Sequence, residues 1–169
     1  MLHLRAKLDI RLAAIADGRR ETSLTLSSED RRKSRLRACL DDGQEATLLL
    51  PRGTVLRQGD YLLDDEERVL VVVKASVETL SVARTADRLL LTRAAYHLGN
   101  RHIPLQIGPD WLAYEHDHVL DGMVGALGLI VALERRPFEP EVGGYGHGHD
   151  EDDDPPGADH VGRSRAGTT

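Results

Sequence analysis

The feature that most constrains the fold is a change in hydrophobic spacing near residue 68. Before that point, apolar residues form short runs that alternate with polar ones, as in Thr22–Leu26 and Arg35–Leu40. Alternation with a period of two is typical of half-buried strands. Asp41–Gln44 follows the second run and has the composition of a hairpin turn. We therefore predict that residues 1–75 form a small antiparallel β domain.

Beyond residue 68 the spacing lengthens. Val69–Val73 is a continuous apolar run and predicts a strand. Apolar residues then recur three and four positions apart from Val82 to Leu98, which predicts an amphipathic helix that ends in a left-handed residue at Gly99-Asn100. The remaining elements are predicted as strands at Ile103–Ile107, Trp111–Tyr114 and Leu129–Leu133, with a helix capped by Asp117 before the last. The resulting order, βαββαβ, is that of a ferredoxin-like fold.

These patterns predict a mixed α+β protein with two domains and a tail. The ferredoxin-like domain is expected at residues 76–142, with its first strand beginning as early as residue 68. No apolar periodicity remains after Pro140, and residues 143–169 are rich in Gly, Asp and His. Such a segment buries too little apolar surface to order itself, so we predict a disordered C-terminal tail.

Composition excludes several classes of function. A net charge of −6 argues against nucleic-acid binding, which needs a basic surface, and no run of ~20 apolar residues is present to span a membrane. The first residues are interrupted by charges and lack the apolar core of a secretory signal. The single cysteine, Cys39, has no internal disulfide partner, so a reducing cytoplasm is expected. Its alternating context predicts a small core residue and not a nucleophile.

Five of the eight histidines gather near the C-terminal end of the chain. His116 and His118 flank Asp117, and His147 and His149 precede the acidic run Asp150–Asp154. Imidazole and carboxylate ligands together suit nickel, copper and zinc. No His-Glu-x-x-His, Gly-x-Ser-x-Gly or phosphate-loop motif is present, so the pattern indicates metal handling and not an enzyme.

The individual histidines leave alternatives open. His102 follows the predicted helix end, where a histidine is ordinarily a surface or capping residue, but pairing about a two-fold axis would make it two facing ligands. On an extended chain His116 and His118 would share one face and close on one ion. The alternative for that pair is a polar strand end in which Asp117 caps the next helix.

With these residues in view, the chain resembles the urease accessory protein E family of nickel metallochaperones. The resemblance is carried by these segments: Ala94–Ile107 with its Gly-Asn-Arg-His-Ile-Pro motif, His116–Asp121, Pro137–His147, Arg31–Arg35 and Leu48–Leu56. It implies a homodimer joined through the ferredoxin-like domains, in which His102 of each subunit shares one metal. It also implies that His116 and His118 are peripheral ligands and that His147 and His149 begin a C-terminal histidine region.

The function that follows from the resemblance is a non-enzymatic nickel chaperone. It would bind Ni(II), with Cu(II) and Zn(II) as alternatives in vitro, and donate it to the urease pre-activation complex with its accessory GTPase. The alternative from another class is a divalent metal buffer or sensor that has no delivery partner.

Overall fold

The computed structural model describes residues 2–8 and 19–142. These residues form two β-sheets and two α-helices, so the predicted mixed α+β class is confirmed. No helix among them is long and apolar enough to cross a membrane.

The first sheet has six strands: β1 (Leu2–Leu8), β2 (Arg20–Leu26), β3 (Arg35–Cys39), β4 (Glu45–Leu49), β5 (Tyr61–Asp64) and β6 (Val69–Ala75). Their order in the sheet is β2-β6-β5-β1-β4-β3. The strands predicted from alternation at β2 and β3 are present, and β3 pairs antiparallel with β4 across the turn predicted at Asp41–Gln44. A short 3-10 turn at Asp30–Arg32 lies between β2 and β3.

The prediction of a purely antiparallel sheet is wrong. β1 pairs parallel with β4, where Leu2 lies opposite Ala46, and β2 pairs parallel with β6, where Arg20 lies opposite Val69. Parallel neighbours require long crossover connections, and turn spacing along the chain reports only local hairpins. Leucine and valine side chains form the core of this sheet, and Leu4, Leu48 and Val71 are completely buried.

The second sheet has four strands: β7 (Val77–Arg84), β8 (Gln106–Ile107), β9 (Trp111–Glu115) and β10 (Ile130–Pro137). Helix α1 (Arg88–Gly99) lies between β7 and β8 in the chain, and helix α2 (His118–Ala126) lies between β9 and β10. The element order is therefore βαββαβ, the sheet order is β10-β7-β9-β8, and every pairing is antiparallel.

The predicted strand at Val69–Val73 forms, but it belongs to the first sheet and not to the second unit. The helix predicted from Val82 begins only at Arg88, because Val82–Arg84 form the end of the strand β7. β7 is buried on both faces: Ala83 packs towards the helices, whereas Leu80 and Val82 pack with Phe138. A strand covered on both faces presents a nearly continuous apolar run, which spacing alone does not distinguish from a helix.

Two smaller predictions also fail. The strand predicted at Ile103–Ile107 comprises only Gln106–Ile107. Cys39 is exposed and not a core residue, because it shares the outward face of β3 with Arg35 and Arg37, whereas Leu36 and Ala38 point to the core.

Candidate metal-binding site

His102 lies on a tight turn immediately after α1. Its backbone is left-handed, with φ of 57°, and its N–H donates to the carbonyl of Gly99 at 2.8 Å. The left-handed residue predicted at Gly99-Asn100 is therefore His102 itself, since Asn100 has φ of −63°. This conformation is uncommon outside glycine, although histidine is among the residues enriched there. The turn leaves the His102 side chain exposed.

A cleft of about 610 Å³ lies between the two domains and is lined by His102. The first domain contributes Arg31 and Arg57 to its wall, and the last described residues, Glu141 and Val142, line it as well. Glu141 N–H donates to the carbonyl of Leu105 at 2.6 Å, which holds the chain beside the His102 turn. The chain therefore leaves the described structure at the same cleft that contains His102.

The segment after β10 is fastened to the first domain by a buried arginine. Arg31 is 2% exposed, and its guanidinium forms an ion pair with Glu139 and donates to the carbonyl of Phe138. Arg57 adds a hydrogen bond of 2.6 Å to the carbonyl of Pro140. These contacts connect the two domains directly. We refer to residues 138–140 as the interdomain strap.

His116 and His118 lie at the junction of β9 and α2. β9 ends at Glu115, Asp117 is extended, and His118 is the first residue of α2, so the extended backbone assumed for the pair ends at Asp117. Asp117 caps the helix as predicted, and accepts from Val119 N–H at 2.7 Å and Leu120 N–H at 3.2 Å. These bonds from Leu120 and Val119 hold the pKa of Asp117 below its usual range. Both histidine side chains are exposed.

The His116 ring is held by side chains that the sequence analysis did not identify. Its Nδ1 lies 3.1 Å from Ser81 Oγ and 3.1 Å from Asp121 Oδ2. The other oxygen of Asp121 accepts from the Tyr114 hydroxyl at 2.9 Å. Burial, and secondly this hydrogen bond, raises the pKa of Tyr114 above its ordinary value, so its hydroxyl remains a donor. Only tertiary structure reveals this set, because Ser81 lies more than thirty residues from His116 in the chain.

The structure does not bring the predicted ligands together into one closed site. Among residues 2–8 and 19–142, no group of three or more His, Cys, Asp or Glu side chains is arranged to hold a metal ion. His147 and His149 lie, with the whole predicted tail 143–169, outside the described residues. Of the predicted ligands that the structure describes, His102, His116 and His118 all have exposed side chains.

Fold and site together define a two-domain α+β protein with exposed histidines on its second domain. Residues 4–75 match the family model for the N-terminal domain of the UreE urease accessory protein, and residues 78–162 match the model for its C-terminal domain. The chain therefore belongs to the UreE family of urease accessory proteins. The resemblance inferred from the sequence segments is confirmed.

Individual relatives agree with this assignment. The chain is 56% identical over 123 residues to the urease accessory protein UreE of Pseudomonas putida, which covers 73% of this chain and 74% of the relative. It is 53% identical over 131 residues to the UreE of Vibrio parahaemolyticus, covering 73% and 82%. The UreE of Citrobacter koseri is 48% identical over 152 residues, covering 88% of this chain and 96% of the relative.

Proposed function

We propose that this protein is a nickel metallochaperone that binds Ni(II) and delivers it to the urease apoprotein and its accessory GTPase during urease maturation. The observation that carries the proposal is the match of the chain to both domains of a urease accessory family. Nickel is the cargo and not a catalytic cofactor, so the role is non-enzymatic. An open site with few protein ligands suits a delivery role, because a bound ion can then leave by ligand exchange.

The proposed primary ligand is His102. Its side chain is exposed on a turn that closes through backbone hydrogen bonds, so the imidazole itself is not needed to hold the turn together. One imidazole provides too few ligands for a tight nickel site. We propose that the second ligand is His102 of another copy of the chain, related by a two-fold axis. His116, His118, His147 and His149 are proposed as further ligands that receive or pass on the ion.

The proposed homodimer forms through the second domain, residues 76–142, which we propose is ferredoxin-like. Its element order and its sheet order, β10-β7-β9-β8, support that fold. This domain exposes several large apolar side chains, among them Leu89, Tyr96 and Ile130, at 68%, 65% and 77%. Exposed apolar residues of this size support an interaction surface. The first domain, residues 1–75, is proposed to contact partner proteins, and residues 143–169 to bind metal.

The test of the shared site is nickel titration calorimetry on the protein lacking residues 143–169. We expect one tightly bound Ni(II) per dimer, and its loss in both His102→Ala and His102→Gly. Glycine tolerates the positive φ of this position, so the second variant removes the imidazole while easing the backbone by about 1 kcal/mol. His97→Ala is the control, because His97 lies near the end of the same helix but outside the turn. One tight ion per monomer would contradict a shared His102 site.

Delivery is tested by urease activation at limiting nickel. Removal of residues 143–169, or the pair His147→Ala and His149→Ala, is expected to lower the number of ions bound and slow activation. Carboxylates bind nickel more weakly than imidazole, so neutralising Asp150–Asp154 should have the smaller effect. A protein that binds nickel but leaves urease activation unchanged would be a metal buffer or sensor instead. Copper outranks nickel at most histidine sites, so the choice of metal must come from supply and partner.

A further inference from the structure

Four side chains meet between the second sheet and α2, and their positions follow from the strand register. Ser81 on β7 lies directly opposite Tyr114 on β9, so the two side chains point to the same face of the sheet. Ser81 and Tyr114 are both completely buried. Asp121, in the first turn of α2, accepts a hydrogen bond from Tyr114 with one carboxylate oxygen and contacts His116 with the other. We call Ser81, Tyr114, Asp121 and His116 the His116 network.

The hydrogen positions in the network follow from what each group can donate. The Tyr114 hydroxyl donates to Asp121 Oδ1 at 2.9 Å, which anchors one carboxylate oxygen. The other oxygen, Oδ2, lies 3.1 Å from His116 Nδ1. A carboxylate only accepts, so its close approach favours a hydrogen on Nδ1 over a bare lone pair. Ser81 Oγ, also 3.1 Å from Nδ1, forms the hydrogen bond at this nitrogen and accepts when Nδ1 carries the hydrogen.

We infer that Asp121, anchored by Tyr114 and supported by Ser81, is a positioning residue that holds His116 in the Nδ1–H tautomer and reserves Nε2 for a divalent metal ion. This inference rests on the proposed nickel-binding function. Histidine ligands commonly donate their second ring nitrogen to a carboxylate, which fixes the ring and increases the basicity of the ligating nitrogen. His118, by contrast, makes no hydrogen bond through its ring within residues 2–8 and 19–142. The two neighbouring histidines are thus unequal ligands.

The first measurement is the tautomer of each histidine in the full-length, metal-free protein, read from the ring nitrogen shifts by ¹⁵N NMR above the histidine pKa range. We expect the Nδ1–H form at His116, whereas His118, whose ring makes no hydrogen bond in the described part of the chain, serves as the internal reference. Finding His116 in the Nε2–H form would overturn the inference, whatever the protein does with nickel. A structural tether between α2 and the sheet would not by itself select one tautomer.

The second measurement uses Asp121→Asn, which preserves shape but changes the donors. The Tyr114 hydroxyl would donate to the new amide oxygen, so the amide NH₂ would face His116 Nδ1 and force that nitrogen to accept. We therefore expect His116 to switch to the Nε2–H tautomer, which places a hydrogen on the metal-binding atom. Tyr114→Phe is the companion variant, because it keeps the Asp121 contact with His116 and removes only the hydrogen bond that anchors Asp121. The shift of His116 towards the Nε2–H tautomer should therefore be smaller than in Asp121→Asn.

The third measurement is a Ni(II) titration in which paramagnetic broadening is followed at each histidine ring. Asp121→Asn should raise the nickel concentration needed to broaden His116 by about ten- to a hundredfold, the usual effect of losing such a partner. Broadening at His102 should not change. Unchanged broadening at His116 in this variant would overturn the positioning role. If neither His102 nor His116 of the parent broadens, the proposed nickel function itself fails, whereas the tautomer result stands independently.

Discussion

Asp41 shows how one side chain can secure a turn. Its carboxylate accepts from Ser23 Oγ at 2.6 Å, from Thr25 Oγ1 at 3.0 Å and from Thr25 N–H at 3.1 Å. The hydrogen bond from Ser23, followed by those from Thr25, holds the pKa of Asp41 below its ordinary value. The ionised form is therefore favoured in the folded state. The β3–β4 turn is in this way connected to β2, a strand about twenty residues earlier in the chain.

Asp41→Asn is expected to lower the free energy of unfolding by roughly 1 kcal/mol at pH 7, because an amide cannot accept all three bonds. A lowered folded-state pKa contributes stability above the ordinary aspartate pKa of about 3.9, and that contribution is lost as pH falls further. The difference between parent and variant should therefore shrink below about pH 4. Urea unfolding from pH 7 to pH 2 checks this. A difference that stays constant over the whole range would refute it.

The histidines mark the limit of prediction for single residues. The sequence identified His116 and His118 as candidates because imidazoles beside a carboxylate suit divalent metals, and His102 through a hypothesised two-fold axis and the family resemblance. It did not indicate that His102 adopts a left-handed backbone or that His116 Nδ1 lies against Ser81 and Asp121. Both properties come from neighbours that the fold supplies. The chemical type of a ligand can be read from the sequence, whereas its orientation is set by the tertiary structure.

Among the elements, the two helices begin in the same way. Asp87 accepts from Leu89 N–H at 2.8 Å and from Leu90 N–H at 3.2 Å at the start of α1, as Asp117 does for α2. The Asp117 cap was predicted, because an aspartate shortly before an apolar run is a signal for a helix start. The Asp87 cap was missed, since the apolar residues of β7 were assigned to the helix that follows.

Asp87→Ala is expected to destabilise the protein by about 1 kcal/mol, because two helix N–H groups lose their acceptor. The melting temperature should fall by about 3 °C in a chain of this length. Asp87→Asn is the matched control. Asparagine caps a helix as well as aspartate does, so the melting temperature should fall by only a few tenths of the decrease expected for Asp87→Ala. Thermal unfolding followed by circular dichroism separates the two. Equal losses in both variants would mean that the charge of Asp87, and not its capping bond, is what matters.

At the scale of the whole molecule, the sequence did not reveal the contacts between the interdomain strap and the first domain. Arg31 and Glu139 are separated by 108 positions and form an ion pair in which the Arg31 side chain is 3% exposed. Arg31 Nε has no hydrogen-bond partner among the described residues, so the guanidinium is not fully satisfied even in the pair. Removing its carboxylate would leave a buried positive charge that only carbonyl groups offset.

Glu139→Ala is therefore expected to lower the free energy of unfolding by about 3 kcal/mol. Glu66→Ala is the control, because Glu66 pairs with Arg68 while both side chains are more than half exposed, and its loss should cost under about 0.5 kcal/mol. Combining Glu139→Ala with Arg31→Met should restore part of the loss, since no unpaired buried charge remains. Urea unfolding of the four proteins, parent included, measures this. A double variant no more stable than Glu139→Ala alone would exclude the buried charge as the cause.

The sequence by itself determined the local structure wherever one element carried its own signal. Alternation located β2 and β3, the Asp117 cap located α2, and the motif around His102 indicated the family. Tertiary structure decided which strands became neighbours. β6 joined the first sheet and β7 the second, although the two are separated only by Ser76. Strand pairing, the His116 network and the strap all join residues distant in the chain, and hydrophobic spacing carries no information about such contacts.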